Sequence, residues 1–205
     1  MARKLGPKHR LCRRVGERLC SSDKCPVVRR PYPPGAHGPK KSRRQLSTYG
    51  VQFREKQKAK VIYGLLEKQF RRTYEEAKRK TGNTSEALIT LLELRLDNVV
   101  FRLGFAKTRD QARQLVSHGH LLVNGRRVTV PSYRVRPNDI VATAEGNKVS
   151  KYWSETVARN LEKYETPSWL LLDAAALSAK ILSVPPTAEI KQNFDPTLVV
   201  EFYSR

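Results

Sequence analysis

The metal-ligand side chains of this chain stand together near its N-terminus. His9 and Cys12 are separated by two residues, and Cys20 and Cys25 by four. Zinc accepts Cys3His sets at spacings of this kind, in tetrahedral geometry. The segment is poor in hydrophobic residues, so a metal would supply the order that a core cannot. Three cysteines in a 205-residue chain that has apolar residues enough for a core do not suggest a disulfide framework, so the thiols are free, reactive or metal-bound. Two alternatives stay open: a vestigial set with free thiols and a phosphate-contacting histidine, or an iron–sulfur cluster on the same ligands. No other constellation suggests chemistry. His37, His118 and His120 have no Ser or Cys nucleophile beside them in recognisable order, no phosphate-cradling glycine pattern is present, and the carboxylates form no triad. We expect no catalysis.

The charge points to the partner. The chain carries 40 Lys+Arg against 19 Asp+Glu, a net +21. Residues 1–60 hold 18 basic and 3 acidic residues, residues 94–140 hold 9 and 3, and the remaining segments are near neutral. Like charges at that density repel unless something neutralises them, and phosphates do so with release of counterions. No apolar run approaches the roughly 18 residues of a spanning helix, and no apolar stretch follows the basic start as a secretory signal requires. We therefore expect a soluble, cytosolic protein with a nucleic-acid partner and no membrane association.

The elements follow from periodicity and punctuation. Residues 1–50 alternate basic residues with turn formers, as in Arg29-Arg30-Pro31-Tyr32-Pro33-Pro34-Gly35, and read as an extended basic arm ordered mainly by its partner. From Gln52 to Lys80 an apolar three-to-four-residue spacing predicts a helix pair divided near Tyr63-Gly64, with Arg54, Lys56, Lys58 and Lys60 on the other face. Thr84 or Ser85 is the expected cap of a helix over 86–94, whose apolar face then continues to Gly104. Thr108-Arg109-Asp110-Gln111 is a capping box for a second helix that Gly119 ends. Asn124-Gly125 between aliphatic runs predicts a hairpin. Arg136-Pro137-Asn138-Asp139 is a turn into a strand over 140–144, and 151–164 reads as a short helix. Strand-like pieces are expected at 169–172, 180–184 and 198–203, with Trp153 and Trp169 in the core. The fold class is α+β: a mainly helical N-terminal domain with a basic arm, and a module of two helices on a small antiparallel sheet. We expect the arm over 1–50, the helical part of the N-terminal domain over 51–93, the module over 94–157, and a tail from about 171 to 205 that packs with or near the N-terminal domain.

On the module's second helix Arg109 and Arg113 lie four apart, opposite the apolar stripe, and the basic hairpin Arg126-Arg127 follows. An arginine-lined surface suits base-paired RNA, which is recognised largely by shape, phosphates and 2′-hydroxyls. Expected phosphate contacts are Arg3, Lys4, Arg10, Arg13, Arg14, Arg29, Arg30, Arg43, Arg44, Arg54, Lys58, Arg109, Arg113, Arg126 and Arg127, with His118 and His120 as further RNA contacts.

Residues 94–157, with Arg95-Leu96-Asp97-Asn98-Val99-Val100-Phe101-Arg102-Leu103-Gly104-Phe105, Gln111-Ala112-Arg113-Gln114-Leu115-Val116-Ser117-His118-Gly119-His120 and Val123-Asn124-Gly125-Arg126-Arg127, resemble a small RNA-binding module. That module is found in bacterial small-subunit ribosomal protein four, in pseudouridine synthases, in tyrosyl-tRNA synthetases and in heat-shock proteins. An RNA-modifying enzyme would need a further catalytic domain for which this chain has no room. Arg30-Pro31-Tyr32-Pro33-Pro34-Gly35-Ala36-His37-Gly38, Arg54-Glu55-Lys56-Gln57-Lys58, Tyr63-Gly64, Gln69-Phe70-Arg71 and Val200-Glu201-Phe202-Tyr203-Ser204-Arg205 resemble the family of small-subunit ribosomal protein four over the full length. The resemblance implies a ribosomal location and direct, early binding to small-subunit ribosomal RNA that nucleates assembly of the subunit body. It also implies contacts with small-subunit proteins five and twelve that influence decoding accuracy. Some bacterial members carry four cysteines near the N-terminus that bind zinc; here His9 stands where the first would be, with a shorter loop between the pairs.

Overall fold

The computed structural model describes residues 6–20, 22, 24–39, 45–148, 150–161, 164–187, 189–190 and 192–205. Arg3, Lys4, Arg43 and Arg44 lie outside the described residues. In chain order the helices are α1 (Lys8–Val15), α2 (Thr48–Ile62), α3 (Glu67–Lys78), α4 (Thr84–Glu93), α5 (Leu96–Arg102) and α6 (Arg109–Ser117). Strands β1 (Leu121–Val123), β2 (Arg126–Arg127) and β3 (Ile140–Thr143) follow. Then come α7 (Glu145–Lys148), a π-helical turn (Tyr152–Val157), α8 (Ala158–Leu161), β4 (Leu170–Asp173), β5 (Ser178–Ile181) and α9 (Pro196–Ser204). The class is α+β, with two compact units: Met1–Leu88 together with Lys191–Arg205, and Ile89–Ile190. Among the described residues no helix is long and apolar enough to cross a membrane.

In the first unit α2 and α3 are separate helices, with Tyr63 ending α2 and Gly64 in the left-handed region. The face that α2 buries is not the one its apolar residues suggest. Lys56 and Lys58 are only 5% and 7% exposed, whereas Phe53 is 40% exposed. Acidic partners make this burial tolerable: Lys58 pairs with Glu17 at 2.8 Å and Glu55 at 2.7 Å, and Lys56 with Glu67 at 2.9 Å. Further bonds tie the C-terminal helix to this face. Gln52 donates to Glu201 (2.8 Å), the Asp195 amide donates to Glu55 (3.0 Å), and the Tyr203 hydroxyl donates to Glu67 (2.7 Å). Lys56 Nζ also lies over the rings of Phe53 and Phe202, at 4.8 and 4.4 Å.

The strand expected at 198–203 is therefore a helix, α9. Its β-branched and aromatic residues favour a strand, but Asp195 caps the Thr197 amide at 2.8 Å, Pro196 takes the first helical position, and packing on α2 rewards the helical face. The arm also departs from expectation, since residues 8–15 form α1, closed by Gly16 in the left-handed region. Asn83, rather than Thr84 or Ser85, caps α4 by accepting the Ser85 amide at 3.0 Å.

In the second unit the five strands form one antiparallel sheet in the order β2-β1-β3-β5-β4. The tail from about 171 thus does not travel as one piece. Residues 170–181 extend this sheet, because β5 pairs Ala179 with Val141 and so covers backbone groups that β3 would otherwise leave as an open edge. Only Lys191–Arg205 belongs to the first unit. The apolar face expected to run unbroken to Gly104 breaks at Leu94-Arg95, where α5 begins without a side-chain cap. The orphan amides of Leu96 and Asp97 find the carbonyls of Tyr133 (2.8 Å) and Pro131 (3.2 Å) instead. The core joins Leu96, Val99, Val100 and Leu103 of α5, Ala112 and Val116 of α6, and Leu121, Val123, Val141 and Ile181 of the sheet. Trp153 and Trp169 are in it, both 2% exposed.

The second helix of the module starts and stops largely as its sequence predicts. Thr108 accepts the Gln111 amide at 3.2 Å, while Gln111 reaches one residue further back than a capping box would, to the Lys107 amide at 3.0 Å. At the C-terminus the His120 amide bonds the Leu115 carbonyl (3.1 Å) and the Gly119 amide the Val116 carbonyl (2.9 Å), a Schellman closure with Gly119 at φ +71. Asn124 and Gly125 both have positive φ, as a two-residue type I′ hairpin requires.

Candidate nucleic-acid interface and metal cluster

The two ligand pairs do come together. His9 and Cys12 are one turn apart on α1, and the loop after Gly16 carries Cys20 and Cys25 back, so that the four ligand atoms lie within 4.8 Å of one another. Cys20 Sγ is 3.7 Å from His9 Nδ1. Ligand atoms of a tetrahedral zinc, with Zn–S near 2.3 Å and Zn–N near 2.0 Å, stand about 3.5–3.8 Å apart, so the set fits zinc after small adjustments. Around it is a satellite core of Cys12, Cys25 and Val27, flanked by Leu19 and Cys20. Burial and its neighbouring thiols push Cys12 up to about 11. Burial also opposes ionisation of Cys20, but the Ser22 amide and the thiols of Cys25 and Cys12 outweigh it and hold Cys20 below the ordinary thiol value. Clustered thiols that resist joint ionisation are the donor set a divalent cation stabilises.

The arginines expected to face RNA divide into two groups. Arg10, Arg14, Arg29, Arg30 and Arg126 are exposed. Arg13 is half-buried: it donates to the Tyr32 and Pro33 carbonyls at 3.1 and 3.4 Å, and its guanidinium lies 5.0 Å from the Tyr32 ring. Arg54 donates to the Val15 carbonyl and to Glu17, and Lys58 is buried in the ion pairs described above. These three brace the first unit.

Arg113 departs furthest from expectation. It does not share an outward face with Arg109; it is 5% exposed and pairs with Asp97 at 3.2 Å, beside Arg95, which grips the same carboxylate with two hydrogen bonds at 3.1 and 2.8 Å. Arg109 is half-buried, with its guanidinium over the Phe101 ring at 4.4 Å and Nε donating to Asn98 at 2.7 Å. Asn98 in turn donates to Glu93, which is fully buried and held by Arg102 through two 2.9 Å bonds. Arg95, Arg102, Glu93, Asp97 and Asn98 form the network behind Arg109 and Arg113, and none of them is among the expected phosphate contacts. The available signal was the pair of acids, Glu93 and Asp97, set among arginines.

Arg127 is exposed and anchored, donating to the Gly119 carbonyl at 2.7 Å and the His118 carbonyl at 3.5 Å. His118 and His120 lie nearly parallel, 16° apart, with centroids at 6.2 Å. Residues 3–93 match the ribosomal protein S4/S9 N-terminal domain, and residues 94–141 match the S4 domain. The chain is 50% identical over 214 residues to small ribosomal subunit protein uS4 of Thermus thermophilus, with both chains fully covered. The chain belongs to the uS4 family. The uS4 of Dictyoglomus turgidum is 49% identical over 211 residues and that of Roseiflexus castenholzii 47% over 206, again with full coverage of both chains. Within a uS4 chain the two groups of arginines have different work: one braces the fold inside each unit, the other is presented to solvent.

Proposed function

We propose that the chain is a structural constituent of the small ribosomal subunit that binds its ribosomal RNA directly and catalyses nothing. The observation that carries this reading is the disposal of negative charge in the module. Glu93 and Asp97 are buried in arginine pairs and Asp139 is spent on the Asn124 and Arg136 turns, while Lys107, Arg126, Arg127 and Arg136 stay exposed. Over residues 94–141 the exposed charges are therefore cationic, as binding to a phosphate backbone requires, and the exposed acids Glu145 and Glu155 follow that stretch. Family membership supports the finer reading: early binding that nucleates assembly of the subunit body, and contacts with small-subunit proteins five and twelve that bear on decoding accuracy, in the cytoplasmic ribosome. The arm, the helical domain and the module are its RNA-facing and protein-facing parts, with Arg3, Lys4, Arg43 and Arg44 expected to contribute to the arm's contacts.

Filter binding of the full chain to small-subunit ribosomal RNA tests this. Arg29→Glu with Arg30→Glu, and Arg126→Glu, should each weaken binding about tenfold or more, whereas Lys78→Glu with Lys180→Glu should leave it nearly unchanged. Equal losses from both sets would refute the placement of the RNA surface.

We further propose that His9, Cys12, Cys20 and Cys25 hold one zinc ion that fixes the base of the arm. Bound there, zinc supplies a structural crosslink and no reaction. Metal analysis of purified protein should find one equivalent of zinc, lost in Cys20→Ser; a well-folded protein with no metal would sink the proposal.

A further inference from the structure

The second unit contains a cavity of about 210 Å³ lined by Gln111, Gln114, Leu115, His118, His120 and Tyr152. Its walls are α6 and the residue that follows it, the residue leading into β1 and the first residue of the π-helical turn. We propose that this cavity receives one unpaired adenine base of the small-subunit RNA. The proposal rests on the RNA-binding reading above and adds a base-specific contact to it.

The lining chemistry suits a base. Leu115 and the Tyr152 ring supply flat and apolar wall, and the Tyr152 hydroxyl is already committed to the Phe105 carbonyl at 2.6 Å. Unstacked RNA bases are held by stacking on aromatic and histidine rings combined with hydrogen bonds to their edges. Two carboxamides provide those bonds. The Gln111 oxygen is occupied by the Lys107 amide, so its NH2 group is what it offers the cavity. Gln114 is exposed and offers a donor and an acceptor side by side, the pattern that matches N1 and the 6-amine on the Watson–Crick edge of an unpaired adenine. His120 Nδ1 is buried and has no hydrogen-bond partner among the described residues. A buried polar atom in that condition is costly, and a ligand that pairs it recovers the difference.

Charge distinguishes a nucleotide in a chain from a neutral small molecule. Arg127 is fixed to the carbonyls of His118 and Gly119, which places a cation at the histidine end of the cavity. Lys107, exposed, stands at the Gln111 end. Phosphates on both sides of an inserted base would meet positive charge.

Chemical probing of full-length protein on full-length small-subunit RNA tests this, with dimethyl sulfate reporting adenines and hydroxyl radicals reporting the backbone. The wild type should protect one unpaired adenine. Gln114→Leu should restore that adenine's reactivity and weaken binding about tenfold while leaving the backbone footprint in place, and Tyr152→Phe, which keeps the ring, should retain the protection. An intact backbone footprint with no adenine whose reactivity depends on Gln114 overturns the cavity's assignment. A wild type with no backbone footprint overturns the RNA-binding reading itself, and the base contact with it.

Discussion

Arginines of the same sequence type do opposite work here, and their partners decide which. Arg113 is enclosed with Asp97 and Arg95, so removing it breaks one of two buried ion pairs and leaves Arg95 as the carboxylate's cation. Breaking such a pair from one side typically destabilises a protein by about 3–5 kcal/mol. We expect Arg113→Ala to lower unfolding stability by about 3 kcal/mol in urea titration, and to lose RNA binding only as a consequence of misfolding. Arg126 is exposed on β2, and Arg126→Ala should change stability by less than about 0.5 kcal/mol while weakening RNA binding. If the two variants lose stability equally, the division into bracing and presented arginines is wrong. Residue spacing could not have separated them. Four-residue separation places Arg109 and Arg113 on one side of α6, but only the approach of Asp97 turns one of them inward.

At the scale of elements, α9 shows how a tertiary partner overrides local preference. Glu67, the first residue of α3, links it to both α2 and α3, accepting from Tyr203 of α9 and from Lys60 and Lys56 of α2. Burial would raise its carboxyl, but these donors, Lys60 foremost, bring it down to about 2. A depressed carboxyl contributes stability that is complete above the ordinary carboxylate range and disappears as pH falls toward 2. Glu67→Gln should therefore destabilise the protein at pH 7 and progressively less below about pH 4, as followed by circular dichroism. Tyr203→Phe, which removes one hydrogen bond to the carboxylate, should cost about 1 kcal/mol at pH 7. The end of α6 allows a similar test. Gly119 has φ +71, and a Cβ there would collide with the Arg127 guanidinium. Gly119→Ala should thus cost about 1 kcal/mol from the backbone and displace Arg127, lowering RNA affinity beyond what the stability loss explains. This helix end and the Asn124-Gly125 hairpin were legible because glycine and asparagine there answer a local backbone demand. The helix at 196–204 was not, because its β-branched run argues for a strand until α2 is set beside it.

For the whole molecule, the net charge of +21 governs how binding responds to salt. Each neutralised phosphate releases counterions, so the slope of log affinity against log salt should be steep, and reversing Arg29 and Arg30 should flatten it by about 0.7–0.9 for each phosphate no longer neutralised. A slope unchanged by those substitutions would mean that the arm does not touch the backbone. The sequence by itself pointed to a polyanionic partner and determined the α+β class, the ligand pairs of the N-terminal cluster and the family, because composition, short-range spacing and motif order are properties of the chain. Only the tertiary structure decided which cations remain available, that residues 170–181 complete the module's sheet, and that Tyr152 joins Gln111, Gln114, His118 and His120 in lining one open cavity. Each of these depends on residues far apart in the chain meeting, and on whether burial or an acidic partner claims a side chain before a ligand can.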